Sequence, residues 1–182
     1  MKQSGHLSHL TPAGRARMVD VGAKLPSERT ARAQAVVRLG PAIAKALKRT
    51  GALAKGNVIE TARIAGIMAA KNTSNLIPMC HPLPIDLILI DATWHGNSLA
   101  LEATVRCTGK TGVEMEALVA VSVAALTVYD MCKSADKGIV ISEIRLLEKS
   151  GGKSGHWKAA PLSRNDAAEE RVVHRLHRLG SD

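Results

Sequence analysis

Residues 108–133, TGKTGVEMEALVAVSVAALTVYDMCK, constrain this chain more than any other segment. They read as one long helix whose middle is almost wholly apolar. A helix apolar on nearly all sides belongs inside a domain or a subunit contact. Its charged residues sit at the two ends: Glu114 and Glu116 where it opens, Asp130 and Lys133 where it closes. Any chemistry it serves is therefore at those ends. Asp130 is the odd member, because a carboxylate near a helix C-terminus opposes the macrodipole. The helix also sets a distance. Glu116 and Asp130 fall within ~40° of one another on one face, but ~21 Å apart along the axis. One helix cannot easily bring both to one bond, so a reaction using both calls for a site shared between subunits.

The core around such a helix must be built from small aliphatic side chains. The 182 residues include no Phe, one Tyr (Tyr129) and two Trp (Trp94 and Trp157). The length suits one domain with a sizeable core. The net charge is +9, and all of the excess lies early: residues 1–55 hold 11 Lys/Arg and 2 Asp/Glu, and the remainder holds 14 of each sign. Such a concentration attracts phosphate-bearing partners, either nucleic acid or a small polyphosphate. The scarcity of aromatics argues against a base-stacking single-strand binder. Cys80, Cys107 and Cys132 are odd in number and show no CxxC spacing. They fit neither a disulfide framework nor a four-cysteine zinc site, and free thiols in a reducing cytoplasm are expected. The first residues lack an apolar signal core, and no stretch is long, apolar and uncharged enough to predict a membrane span.

Residues 1–27 read as an irregular N-terminal arm in which 18–21, MVDV, could pair as a short strand. Residues 28–160 form the main domain. RTARAQAVVRL (29–39) alternates basic and small apolar residues, as a half-exposed strand does. Residues 41–49 predict a short helix, with Pro41 in its first turn and Gly51 just beyond its end. Residues 57–73 predict a second helix, Asn57 and Glu60 having the spacing of an N-cap pair. Three prolines make 76–85 an extended, rigid loop. Residues 86–94 and 98–108 form a hairpin. The long helix, a strand at 139–149 and a Gly-rich basic loop at 150–158 follow. This is the β-α-β-β-α-β order of an α+β, ferredoxin-like split βαβ sandwich, an antiparallel sheet with helices packed on one face. Residues 161–182 are a charged tail, either an amphipathic helix or unstructured.

Several small motifs invite chemistry. TGKTG (108–112) and SGGKSG (150–155) resemble phosphate loops, but neither completes a Walker A motif. For TGKTG a plain turn is an equally good reading. Glycine backbone with lysine can still cradle an anion, and Lys149 and Lys153 flank the glycines of the second loop. Cys80-His81 lacks the partners of a metal site, so no metal is expected. His81, in a stiff loop, suits a fixed hydrogen bond or proton transfer, or simple packing at an interface. Lys55-Gly56 precedes a helix N-terminus and offers a charge with free amides. Asp130 and Lys133, at i and i+3, are neighbours. The plain reading is a surface ion pair, although the apolar run beside it suggests partial burial.

Taken together, MVDVGAK (18–24), KGNVIETARIAGIMAAK (55–71), LIPMCHPL (76–83), TGKTGVEMEAL (108–118), YDMCK (129–133) and KSGGKSG (149–155) resemble the cyclic pyranopterin monophosphate synthases, the molybdenum cofactor biosynthesis protein C family. The resemblance implies a lyase that converts 3′,8-cyclo-7,8-dihydro-GTP, a purine-derived triphosphate, to cyclic pyranopterin monophosphate with loss of pyrophosphate. It implies a cytoplasmic homohexamer, a trimer of dimers with interface active sites, and no cofactor. By position, the family's catalytic aspartate matches Asp130 and its neighbouring lysine Lys133. The remaining catalytic matches are Lys55, His81 and Lys149. Substrate contacts match Met79, Cys80, His81, Glu114, Met115 and Glu116, to which the glycine-rich loop adds Lys153. The chain departs from the family pattern at Asn57, Met79 and Gly22, which stand for Asp, Leu and Ser. Two other classes compete: a basic nucleic-acid binder, opposed by the charge-neutral remainder and the lack of a binding motif, and an inactive assembly scaffold.

Overall fold

The computed structural model describes residues 13–161, so all of the predicted tail but Pro161 lies outside the described residues. Four long strands carry the fold: β1 (Ser27–Arg38), β4 (Ile85–His95), β5 (Ser98–Gly109) and β6 (Val140–Ser150). Two-residue strands β2 (Ala52–Leu53) and β3 (Gly56–Asn57) form a separate ribbon, and β7 (Trp157–Lys158) adds to the sheet edge. The helices are α1 (Pro41–Thr50), α2 (Val58–Lys71), the single turn α3 (Thr73–Leu76) and α4 (Glu114–Cys132). The sheet runs β4-β5-β1-β6-β7, every pair antiparallel. With helices packed on it, this is the α+β ferredoxin-like sandwich the element order predicts.

Alternation sets the two faces of β1. Ala31, Ala33, Ala35 and Val37 are buried, and Arg32 and Gln34 face the other way, as a period of two requires. β1 pairs with β5 over its whole length without a register shift, Ser27 opposite Gly109 and Arg38 opposite Ser98. Its pairing with β6 is broken by two bulges. The second coincides with Glu143, at φ 53°, whose carboxylate accepts a 3.1 Å hydrogen bond from Gln34 Nε2.

α4 lies across β1, β5 and β6, and α2 lies beside α4 and over β4. Ala117, Ala120, Val121, Ala124, Ala125 and Val128 of α4 are fully buried. With no Phe, close approach replaces large side chains. Gly66 of α2 shows how tight this is: a Cβ there would meet Ile90 Cδ1 and, at 2.8 Å, the carbonyl oxygen of Ala120. By length and composition alone α4 could cross a membrane, a point that charge at its ends does not exclude; more than half of it is buried in this fold, as in a core helix.

The long helix is shorter than its sequence suggests. Thr108 and Gly109 pair with Glu28 and Ser27 in the sheet, and 110–113 form a loop before Glu114. Residues 18–21 are not a strand. Asp20 Oδ1 accepts from the Gly22 N–H at 2.8 Å and the Val21 carbonyl from the Lys24 N–H at 3.1 Å, making a turn. A short acidic side chain that binds local backbone competes with strand pairing in this way. Helix 57–73 is divided: Asn57 caps α2 through Glu60 N–H at 3.0 Å, and α2 stops at Lys71, before α3.

Candidate active site

The sequence-predicted residues gather in two groups, one at each end of α4. At the N-terminal end, the loop after α3 brings Met79, Cys80 and His81 against Glu114, Met115 and Glu116 in the first turn of α4. Acidic residues are favoured there by the helix dipole. These side chains line a cavity of about 420 Å³ together with Val19, Val21, Lys24, Leu83, Thr111 and Gly112. The stiffness given by Pro78, Pro82 and Pro84 fixes the 79–81 loop.

Beside it opens a second cavity of about 320 Å³, which shares Lys24, Thr111, Gly112 and Glu114 with the first. Lys149 and Lys153 line it with Arg29, Lys110, Gly151 and Ser154. Lys149 Nζ donates to Glu114 Oε1 at 2.8 Å and lies 3.4 Å from Ser154 Oγ. Gly112 sits against the Glu114 carboxylate, where a Cβ would collide with it. Lys110 donates to the Gly22 carbonyl at 2.8 Å and so ties the N-terminal arm to this rim.

At the C-terminal end of α4, Lys133 Nζ donates to Asp130 Oδ1 at 2.5 Å. Lys55, in the turn between β2 and β3, reaches the Asp130 backbone carbonyl at 3.4 Å. The pair is not buried as expected: the side chains are 64% and 51% exposed in the single chain. The apolar residues around it on α4 turn toward the sheet, and the pair turns outward. No single copy brings Asp130, Lys133 and Lys55 to the cluster of His81, Glu116 and Lys149.

Electrostatics separate the two ends. Glu116 is 3% exposed. Burial pushes its carboxyl pKa up, the nearby Glu114 charge adds to this, and a backbone N–H works the other way. Burial also raises the Cys80 thiol, and Glu116 adds to it, so this cysteine is a thiol rather than a nucleophile. The hydrogen bond and charge of Lys133 lower the Asp130 carboxyl, and Asp130 raises Lys133. The exposed end thus holds a carboxylate paired with an ammonium, and at the buried end the environment pushes the carboxyl toward its protonated form.

Sequence reasoning missed Arg29 and Lys24 in this lining, and had Lys110 only as the lysine of TGKTG, for which a plain turn was an equally good reading. Arg29 is hidden in an alternating strand whose basic positions look like a solvated face. Lys24 and Lys110 sit in turns brought together only by the fold.

Fold and site define a class: a ferredoxin-like α+β protein with a cationic, glycine-lined cavity at one end of its central helix and an aspartate–lysine pair at the other. The MoaC family model matches residues 18–152, and the chain belongs to the MoaC family. It is 54% identical over 154 residues to the cyclic pyranopterin monophosphate synthase of Novosphingobium aromaticivorans, covering 85% of this chain and 98% of the relative. The proteins of the same name from Chloroflexus aggregans (55% over 154 residues; 84% and 93% covered) and Nitratidesulfovibrio vulgaris (54% over 161 residues; 87% and 99% covered) are similarly close.

Proposed function

We propose that the chain is a cyclic pyranopterin monophosphate synthase of molybdenum cofactor biosynthesis. It would convert 3′,8-cyclo-7,8-dihydro-GTP to cyclic pyranopterin monophosphate and pyrophosphate, as a cytoplasmic phosphorus–oxygen lyase. The observation that carries this reading is that every position matched to the family's machinery falls into one of two clusters at the ends of α4, each chemically competent. Lys133, held as an ammonium by Asp130, supplies a proton and a charge near the ring system; Asp130 fixes it. His81 and the buried Glu116 orient the base and ribose. Lys149 and Lys55 stabilise charge developing on the phosphates.

In this reading a second copy completes the site, within a trimer of dimers. Two features support that. The clusters lie at opposite ends of one helix, and between them the helix layer is apolar and open. Met68, Leu76 and Val123 share a groove, and Met68, Leu76, Ile64 and Leu126 are more than half exposed. An antiparallel copy packed on this layer would lay the Asp130 end of one subunit by the Glu116 end of the other. Isologous contacts of this kind are the commonest way to build a dimer.

The test is pyrophosphate release and pterin formation from 3′,8-cyclo-7,8-dihydro-GTP, with GTP as control. Turnover of the cyclic compound alone is expected, and Asp130→Ala is expected to cut kcat by about 10²-fold or more. Near-normal turnover by an intact Asp130→Ala oligomer would remove the central assignment.

A further inference from the structure

The glycine-rich loop between β6 and β7 is held by little of its own backbone. Gly151, Gly152 and Gly155 sit at φ 97°, 65° and 62°, and glycine leaves such a segment many alternative paths. One turn closes inside the loop, Gly155 N–H donating to the Gly152 carbonyl at 3.2 Å. The returning strand β7 is only two residues long, Trp157 opposite Lys149 and Lys158 opposite Glu148. Ala159 N–H adds a bond to the Leu147 carbonyl at 2.8 Å. A pairing this short is marginal on its own.

The strongest tie comes from side chains on the face of the sheet away from α4. His156, the last residue of the loop, bonds through Nε2 to Glu148 Oε1 at 2.7 Å. The other oxygen of that carboxylate, Oε2, accepts from Arg32 at 3.0 Å. Arg32 in turn donates to Glu102 Oε1, from Nε at 2.9 Å and from a terminal nitrogen at 2.6 Å. Glu102, Arg32 and Glu148 thus form a row of alternating charge across the adjacent strands β5, β1 and β6. His156 is where that row meets the loop. The Glu148 side chain is 28% exposed and that of His156 58%, a fixed post on the sheet and a catch at the loop's end. The Glu148 carboxyl is held below the ordinary carboxylate range, the His156 hydrogen bond being the largest cause and Arg32 adding to it, against the cost of burial. Neither Glu148 nor His156 lines either cavity described above.

We infer that His156 is a positioning residue: bonded to Glu148, it closes the base of the 151–156 loop and holds Lys153 and Ser154 in place beside Lys149. Ser154 Oγ lies 3.4 Å from Lys149 Nζ, so a displaced loop withdraws a partner from Lys149 and carries Lys153 away with it. The bearing of this on turnover rests on the synthase reading above, in which Lys149 acts on the phosphates. His156 acts through Glu148 and the loop, so its loss falls on substrate affinity rather than on the chemical step.

The test is a double-mutant cycle in the intact oligomer, read by amide hydrogen exchange over 151–159 and by steady-state kinetics with 3′,8-cyclo-7,8-dihydro-GTP. His156→Ala is expected to speed exchange and to raise KM about two- to fivefold with kcat nearly unchanged, the size an exposed charged pair allows. His156→Gln keeps a donor of similar reach and is expected to recover part of both. Glu148→Ala is expected to lose at least as much as His156→Ala. The double variant is expected to be no worse than Glu148→Ala alone, because each change removes the same bond. Should Glu148→Ala fail to fold, the His156→Ala and His156→Gln pair decides the matter. Exchange indifferent to His156→Ala, or additive losses in the double variant, overturns the assignment. So does an unchanged KM in a protein whose loop exchange has risen. A loop that responds as expected in a protein that leaves the cyclic nucleotide untouched would remove the synthase reading and keep the tie between His156 and Glu148.

Discussion

Glu116 is a carboxylate that folding takes almost wholly out of water, at 3% exposure. The folded protein holds a proton on it at pH values where the unfolded chain has lost one. Between the ordinary carboxylate pKa and its raised folded value, stability therefore falls as pH rises, then levels off. Glu116→Gln keeps the shape and the hydrogen-bonding capacity without the titration. The thermal midpoint of the variant is expected to fall less than that of wild type as pH rises above the ordinary carboxylate range, and an equally steep profile would mean that Glu116 ionises normally. Asp130 has the reverse sign: its contribution is present above the unfolded carboxylate pKa and is lost as acid is added. Its exposure keeps that contribution small. The sequence made both carboxylates visible as helix-end charges. It could not separate them, because burial of one and exposure of the other follow from which side of α4 meets the sheet. Arg29 was invisible for a related reason. Only the approach of Gly152, more than a hundred positions later, turns an arginine near the start of a central strand into a pocket wall.

Among the elements, α2 and α4 depend on one contact. Gly66→Ala would gain up to about 1 kcal/mol of helix propensity. The added Cβ, however, meets the Ala120 carbonyl oxygen, backbone that cannot step aside without moving α4. Net destabilisation of about 1–2 kcal/mol is expected, read as a lower denaturant midpoint; a gain in stability would show that the helices separate freely. The apolar middle of α4 was legible because its period needs no partner to be recognised. Its start was not. Thr108 and Gly109 look like a helix entry until they pair with residues near position 27, a long-range choice that local propensity does not encode. The same holds for β7, two residues whose pairing with Glu148 and Lys149 ends the loop that the sequence shows only as glycine-rich.

For the whole molecule, the separation of the two clusters gives a test of assembly that uses activity lost in two different places. Asp130→Ala spoils one end of every subunit and Lys149→Ala the other. In a mixed dimer, one of the two shared sites receives only intact ends. Co-refolding the inactive variants in equal amounts is expected to restore about a quarter of wild-type sites. A mixture as inactive as its components would place each site within one subunit. The layered sandwich, its antiparallel sheet and its helix-covered face were all readable from element order; the shared site is an expectation from helix geometry that this experiment tests. What pairs with what along the sheet was not readable.

The shortage of aromatic residues leaves each one in a telling location. Trp157 pairs with Lys149 at the mouth of the glycine-rich loop and is 44% exposed. Trp94 lies at the other end of the sheet under Lys48, and Tyr129 adjoins Asp130. The protein therefore carries its own optical reporters. With Trp94 replaced, the emission of Trp157 becomes a single-site signal for events in the cationic cavity. Excitation of Tyr129 then offers an energy-transfer gauge of how near the opposite end of a neighbouring helix comes.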